Sequence, residues 1–346
     1  MIIICILIIL LLLPMVGLII IYEQFFGRRY ETHAPLAFHM DDFPDLRRAF
    51  HPFPSNKDQT LAGYLYYTEN TQPKGIIVIS HGLGGGGHNS YMDCADFFAH
   101  NGYYVFAYDA TGNDESEGKN AVGLSQGLID LDHALSYIQS QDSFRDLPIL
   151  LFGHSWGGYS VGNVLNYHPE IKAVVSICGF NQASDLIKAQ GCSMLGPVRG
   201  LMTPYIKIYE YLKFGKYSTS SAMKGFANSD APVFVIHSQD DTTVPQRYGY
   251  DIYYEAYKDS ERFTFVHYTD KGHNWIYYSR EFLDHVDSLN KAYAQWVKTW
   301  PKGLSKAEKL QYSTTYLEEN LDRNILCNGL DEDLFAQIAA FYDSSI

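Results

Sequence analysis

The sequence predicts an α/β fold built on a mostly parallel central sheet with helices on both faces. Two observations lead there: continuous apolar runs of strand length recur along the chain, and amphipathic helical patterns fall between them. Strands that alternate with helices require crossover connections, and crossovers make neighbouring strands parallel. With 46% hydrophobic and 15% aromatic residues among 346, the chain can bury a large core, and one large domain with additions is expected. The formal net charge of −13 leaves no basic stripe to neutralise phosphates, which excludes nucleic acid as a partner.

Residues 1–22, MIIICILIILLLLPMVGLIIIY, carry no charged side chain, and about 20 apolar residues is the length that crosses a hydrocarbon core. The run is too long, and lacks the basic start and small-residue site, for a removable signal peptide. The expectation is an uncleaved N-terminal transmembrane helix. Arg28 and Arg29 follow it and weigh toward a cytoplasmic domain, but two charges do not decide the side of the membrane. Residues 23–45, with Pro35 and Pro44, read as a tether.

A catalytic domain is expected over 46–302. QTLAGYLYYTE (59–69) reads as part of an outer hairpin, and GIIVIS (75–80) as a strand covered on both faces. Similar runs recur at 103–110, 148–155, 173–180, 232–238 and 262–269. Leu124, Leu128, Leu131, Leu135 and Ile138 share one helical face, as do Phe282, Val286, Leu289, Tyr293 and Trp296. About fifty residues separate two of the strands, too many for an ordinary connection, so 181–230 reads as a lid or cap insertion. Within it Met202, Tyr205, Tyr209 and Leu212 fall on one helical face. Residues 303–346, acidic and helical in pattern, read as a C-terminal appendage.

The chemistry starts at Gly153-His154-Ser155-Trp156-Gly157, which ends the strand PILLF and opens an apolar helical stretch. A strand, a tight turn and a helix are the context that the G-x-S-x-G elbow requires, because the serine sits in a strained turn with no room for neighbouring side chains. Asp240 and Asp241 follow one later strand, and His273 follows the next. Serine, acid and histidine in that order, each after a parallel strand, are placed on one rim of the sheet. A serine hydroxyl is a poor nucleophile until a base removes its proton, and the base needs an acid to hold its tautomer. His273 is the expected base.

These segments, SHGLGG, YDATGNDESEG, GHSWGG, HSQDDTTVP and DKGHNW, resemble the α/β-hydrolase family in its membrane-anchored bacterial esterase and peptidase-like branch, over about residues 50–300. The resemblance implies Ser155 as nucleophile and His273 as base, and it favours Asp241 over Asp240, since in such relatives the acid precedes two variable residues, an aliphatic residue and proline, as Asp241 precedes Thr242, Thr243, Val244 and Pro245. Ser238 departs from the pattern, where relatives often carry glycine. The resemblance also implies an oxyanion hole made by the backbone N–H groups of Leu83 and Trp156, with Gly82, Gly84, Gly153 and Gly157 as motif glycines. Asp109 and Ser116, in the next loop, are expected to satisfy turn backbone groups.

The implied reaction is acyl transfer to water: cleavage of carboxylic esters with hydrophobic, lipid-like acyl groups, without a cofactor. A serine peptidase, aminopeptidase or prolyl-oligopeptidase-like, or an acyl thioesterase would use the same residues. Two remoter readings remain. Residues 82–87 spell G-x-G-x-x-G after a strand, with Asp109 about twenty residues on, as in a dinucleotide-binding loop. An inactive hydrolase fold could serve as a binding protein, although no member of the Ser155, Asp241 and His273 set is replaced. His81, His88 and His154 follow no zinc spacing, and Cys94, Cys178, Cys192 and Cys327 form no metal-like pattern, so no metal is expected. The sequence leaves the oligomeric state open.

Overall fold

The computed structural model describes every residue except Met1, Asn70, Thr71 and Gly85, and for 2–11 it describes the backbone alone. In chain order the strands are β1 (Leu46–Phe50), β2 (Phe53–Pro54), β3 (Thr60–Leu61), β4 (Gly63–Thr68), β5 (Ile76–Ser80), β6 (Tyr104–Tyr108), β7 (Ile149–His154), β8 (Ala173–Ile177), β9 (Val233–Ser238) and β10 (Phe263–Tyr268). Eight of them form a sheet of order β1-β4-β6-β5-β7-β8-β9-β10, while β2 and β3 pair separately. Within the eight-stranded sheet β1–β4 and β4–β6 are antiparallel and the other pairs parallel, while β2–β3 is antiparallel. The central runs β5, β7, β8 and β9 bury both their faces, whereas the run at β10 forms a partly exposed edge.

The helices are α1 (Ile2–Phe26), α2 (Met92–His100), α3 (Leu124–Ser140), α4 (Trp156–Val164), α5 (Ala183–Leu186), α6 (Thr203–Phe214), α7 (Ala222–Asn228), α8 (Tyr250–Tyr257), α9 (Arg280–Val297), α10 (Lys306–Asn320), α11 (Arg323–Cys327) and α12 (Glu332–Asp343). Leu128, Leu131 and Leu135 of α3 and Val161 of α4 pack with Val78 and Leu151 on one face of the sheet. Phe98 of α2 and Phe335, Ile338 and Tyr342 of α12 pack with Ile77 and Phe152 on the other. The Tyr342 hydroxyl also donates to the Leu151 carbonyl at 2.8 Å, so the closing segment 303–346 supplies part of the central core. The aromatic face of α9 continues past the sheet, where Trp296 stacks on Tyr316 of α10.

Register decides where the loops emerge. Ser80 of β5 lies opposite Gly153 of β7, and Ser238 of β9 opposite Tyr268 of β10. The segments after β5, β7, β9 and β10 therefore leave from the same edge, the carboxyl ends of the strands, where open α/β sheets bind ligands.

The insertion 181–230 holds α5, α6, α7 and short irregular turns between them. Its central helix buries Ile206, Glu210 and Phe214, with Met202 just before it; of the stripe that the sequence predicts, Met202 is buried and Tyr205 and Tyr209 pack partly against the same core, while Leu212 is exposed and Glu210 takes an inward position. The reason is a polar contact. Glu210 points inward to accept hydrogen bonds from Tyr22 of α1 and from Ser125 of α3, the latter at 2.9 Å. Leu18, Tyr22 and Phe26 of α1 are buried in the same core. The predicted span over 1–22 falls largely on residues whose side chains lie outside the description, and among the described residues no helix is long and apolar enough to cross a membrane.

Candidate active site

Ser155 is the residue between β7 and α4, at φ 57°, ψ −111°, a left-handed conformation that a side-chain-bearing residue adopts only when its surroundings impose it. Its N–H donates to the Ile177 carbonyl at 2.8 Å, which ties the turn to β8. The close approach explains the flanking glycines: a Cβ on Gly157 would run into the Ser80 carbonyl, and one on Gly153 into the Gly157 carbonyl. Gly84 is required for another reason, its φ of +105°.

The structure brings Ser155, His273 and Asp241 into one chain of contacts. His273 Nε2 lies 2.8 Å from Ser155 Oγ, and its Nδ1 lies 2.7 Å from Asp241 Oδ2. The other Asp241 oxygen accepts the N–H groups of Thr243 and Val244 at 2.9 and 2.8 Å. Burial by itself would raise the Asp241 carboxyl, but the hydrogen bond and charge of His273, with the Val244 N–H, hold it below the ordinary carboxylate range. Asp240 faces away. It accepts from Ser238 Oγ at 2.6 Å and from the Gly272 N–H at 2.9 Å, bracing the two loops.

Trp156 is the first residue of α4, where a backbone N–H has no partner within its own helix. Leu83 and Gly82 line the cavity beside Ser155. His81 fixes the turn that carries them: its Nε2 accepts the Ala110 N–H at 2.9 Å, so Nδ1 carries the proton and donates to the Gly82 carbonyl at 2.7 Å.

A second chain of hydrogen bonds crosses the site, and no sequence motif announces it. The carbonyl of His273 can only accept, so His154 Nε2, 2.9 Å away, carries the proton. Its Nδ1 then accepts from Tyr91 Oη at 3.0 Å, and that hydroxyl accepts the Gly82 N–H at 3.0 Å. The turn after β5, the elbow and the loop that carries His273 are thereby linked. Burial, followed by the nearby His273 charge, pushes His154 down to about 3, so it stays neutral in its structural role.

The end of the glycine run is also occupied. The Gly87 N–H donates to Asp114 at 2.8 Å and the His88 N–H to Asp109 at 2.7 Å, while Asp109 also accepts from the His88 ring and from Glu115 N. Two carboxylates thus occupy the Gly87 and His88 N–H groups at the end of the run and set negative charge there, which counts against a phosphate at that end of the G-x-G-x-x-G stretch. Asp109 and Ser116 serve the turn as expected, Ser116 Oγ bridging the Ala62 N–H and the Asp109 carbonyl. Two groups of ligating atoms crowd within 4.8 Å, His154–Cys178–His273 and Cys178–His237–Asp241. Both depend on Cys178, whose buried thiol is pushed well above its usual value, against the thiolate a metal prefers.

The family model described as serine aminopeptidase, S33, matches residues 71–223. The quorum-quenching protein AidA of Acinetobacter baumannii is 30% identical over 130 residues, 37% of this chain and 42% of that protein. The monoglyceride lipase of Mus musculus is 34% identical over 95 residues, 27% of this chain and 30% of that enzyme. The chain thus spans less than half the length of either relative. The esterase Pf2001 of Pyrococcus furiosus is similar in structure, with a TM-score of 0.52 at 14% identity, covering 82% of this chain and 95% of that one.

Proposed function

We propose that the chain is a serine hydrolase of the α/β-hydrolase family that cleaves carboxylic esters with hydrophobic acyl groups, a reading supported by the serine aminopeptidase family model over residues 71–223. The observation that carries this is the unbroken contact from Ser155 Oγ through His273 to Asp241 at the floor of a cavity. His273 Nε2 takes the Ser155 proton as Oγ attacks the ester carbonyl carbon. The N–H groups of Leu83 and Trp156 donate to the developing oxyanion, each such donor lowering the barrier by about 3 kcal/mol. As the tetrahedral intermediate collapses, the bond to the alkoxy oxygen breaks and His273 returns the proton to the departing alcohol. Water, activated by the same histidine, then releases the acid from the acyl-enzyme.

The monoglyceride lipase among the relatives supports a lipid-like acyl substrate, while the serine aminopeptidase description of the matching model keeps an amide substrate as the second reading. The test is covalent labelling by a fluorophosphonate together with turnover of nitrophenyl esters and aminoacyl amides. Labelling that vanishes in Ser155→Ala, with esters turned over faster than amides, is expected; equal labelling of wild type and variant would refute the assignment.

For location, we propose the membrane surface, with α1 and the cap 181–230 facing it. Met194, Leu201 and Leu212 of the cap are 95%, 73% and 76% exposed, and Leu13, Val16 and Ile20 of α1 are exposed as well. The cap also carries six lysines and arginines against three acidic residues in a chain of net charge −13, which suits anionic headgroups. Flotation of the full chain with vesicles containing phosphatidylglycerol, and its loss in a Leu201→Glu/Leu212→Glu variant, tests this. Protease accessibility in intact cells gives the side.

A further inference from the structure

The cavity above Ser155 has a volume of about 300 Å³, and among the described residues none of its lining comes from the cap. Its lining comes instead from Leu36 and Phe38 of the tether and Leu326 of α11, together with Trp275, Tyr277 and Tyr278, which follow His273. Segments from the two ends of the chain therefore meet over the nucleophile.

They are fastened there. Arg323 donates from Nη1 to the carbonyls of Pro35 and Ala37, each at 3.1 Å, and from Nη2 to Asp42. The tether is held from below by the Phe38 N–H on the Asn89 carbonyl at 2.9 Å and by the Thr32 hydroxyl on Asp114 at 2.8 Å. The closing segment is stitched to the histidine loop in turn. Lys271 Nζ reaches Asp331 at 2.6 Å, the Ser279 N–H donates to the Gly329 carbonyl at 2.8 Å, and the Asp331 N–H to the Tyr277 carbonyl at 3.0 Å. An arginine that fills its fork with two carbonyls and a carboxylate is a rigid clamp rather than a surface pair.

We infer that the tether and the closing segment, clamped by Arg323, form the leaving-group pocket of the enzyme and limit it to compact, largely apolar alcohols of about ring size. This rests on the serine hydrolase reading, because it uses the proton that His273 delivers. The departing oxygen must lie within hydrogen-bond reach of His273 Nε2, and this cavity is the one bounded by His273 and the residues after it. At roughly 30 Å³ per water-sized group, 300 Å³ holds about ten such groups. Its walls are mostly aliphatic and aromatic, a surface that recognises a flat apolar group better than a polyol.

The test holds the acyl group constant and varies the alcohol: methyl, phenyl and naphthyl butyrate, with the full chain, alongside nitrophenyl esters of increasing acyl length. Leu36→Trp, at a half-buried position, narrows the pocket and lowers the ratio of kcat/KM for naphthyl butyrate to that for methyl butyrate roughly tenfold or more. Arg323→Gln loosens the wall and moves the naphthyl-to-methyl ratio the opposite way. Unfolding temperatures identify a variant that has lost its fold, in which case the other carries the test. Wild type that labels and hydrolyses, with variants that change every alcohol alike or discriminate acyl length instead, overturns this inference alone. Wild type that neither labels nor hydrolyses removes it together with the function it rests on.

Discussion

The rim that carries Ser155 and the cap at 181–230 are held by different kinds of contact. On the rim, backbone meets backbone: the elbow lies against β5 and β8 with no space for a Cβ, and buried histidines span the loops. The cap rests on the body through side chains, chiefly Glu210 on Tyr22 and Ser125, and leaves large apolar residues exposed. A backbone-locked rim tolerates almost no change of shape. The cap meets the rim through a side chain as well, Gln190 donating to the Thr242 and Thr243 carbonyls at 3.0 and 2.7 Å beside Asp241.

That contrast can be broken in order of expected effect. Asp241→Asn keeps the size of the side chain but favours the wrong His273 tautomer, and is expected to lower kcat by roughly 10⁴ with the unfolding temperature nearly unchanged; steady-state kinetics on a nitrophenyl ester checks it. Gly157→Ala forces a methyl against the Ser80 carbonyl, and denaturant unfolding should read a loss of about 1–3 kcal/mol together with lost activity. Tyr91→Phe leaves the Gly82 N–H and His154 Nδ1 without the shared hydroxyl, at a cost of about 1–3 kcal/mol, with kcat falling more than KM changes.

The smallest effect belongs to the cap. Burial raises the Glu210 carboxyl above its ordinary value against the opposing hydrogen bonds of Tyr22 and Ser125. The folded protein therefore holds that proton more tightly than the unfolded chain, and stability falls as pH rises from the ordinary carboxylate range through the folded value. Glu210→Gln should flatten this slope in urea midpoints measured across pH. Loss of ester hydrolysis in Glu210→Gln as deep as in Asp241→Asn would erase the distinction between rim and cap.

The elbow was legible in the sequence because a strained serine between a strand and a helix demands glycines two residues either side of it. The order of serine, acid and histidine was legible because parallel strands deliver their loops to one edge. Asp241 was separable from Asp240 only by resemblance; the hydrogen bonds of Asp240 to Ser238 and Gly272 give the physical reason. Tyr91, His154 and Arg323 gave no signal, since each acts through a partner distant in the chain. The same is true of Glu210, whose charge placed it on the solvent side of any helical pattern until Tyr22 and Ser125 came to meet it.

By itself, then, the sequence determined the α/β alternation, the sheet and the identities of the residues at the ends of its strands, because hydrophobic periodicity and turn chemistry are local. Tertiary structure alone decided which face of the cap is buried, that α12 completes the core, and that the two ends of the chain close over the cavity. Those outcomes depend on hydrogen bonds between segments up to 288 residues apart, and no local pattern encodes such a contact.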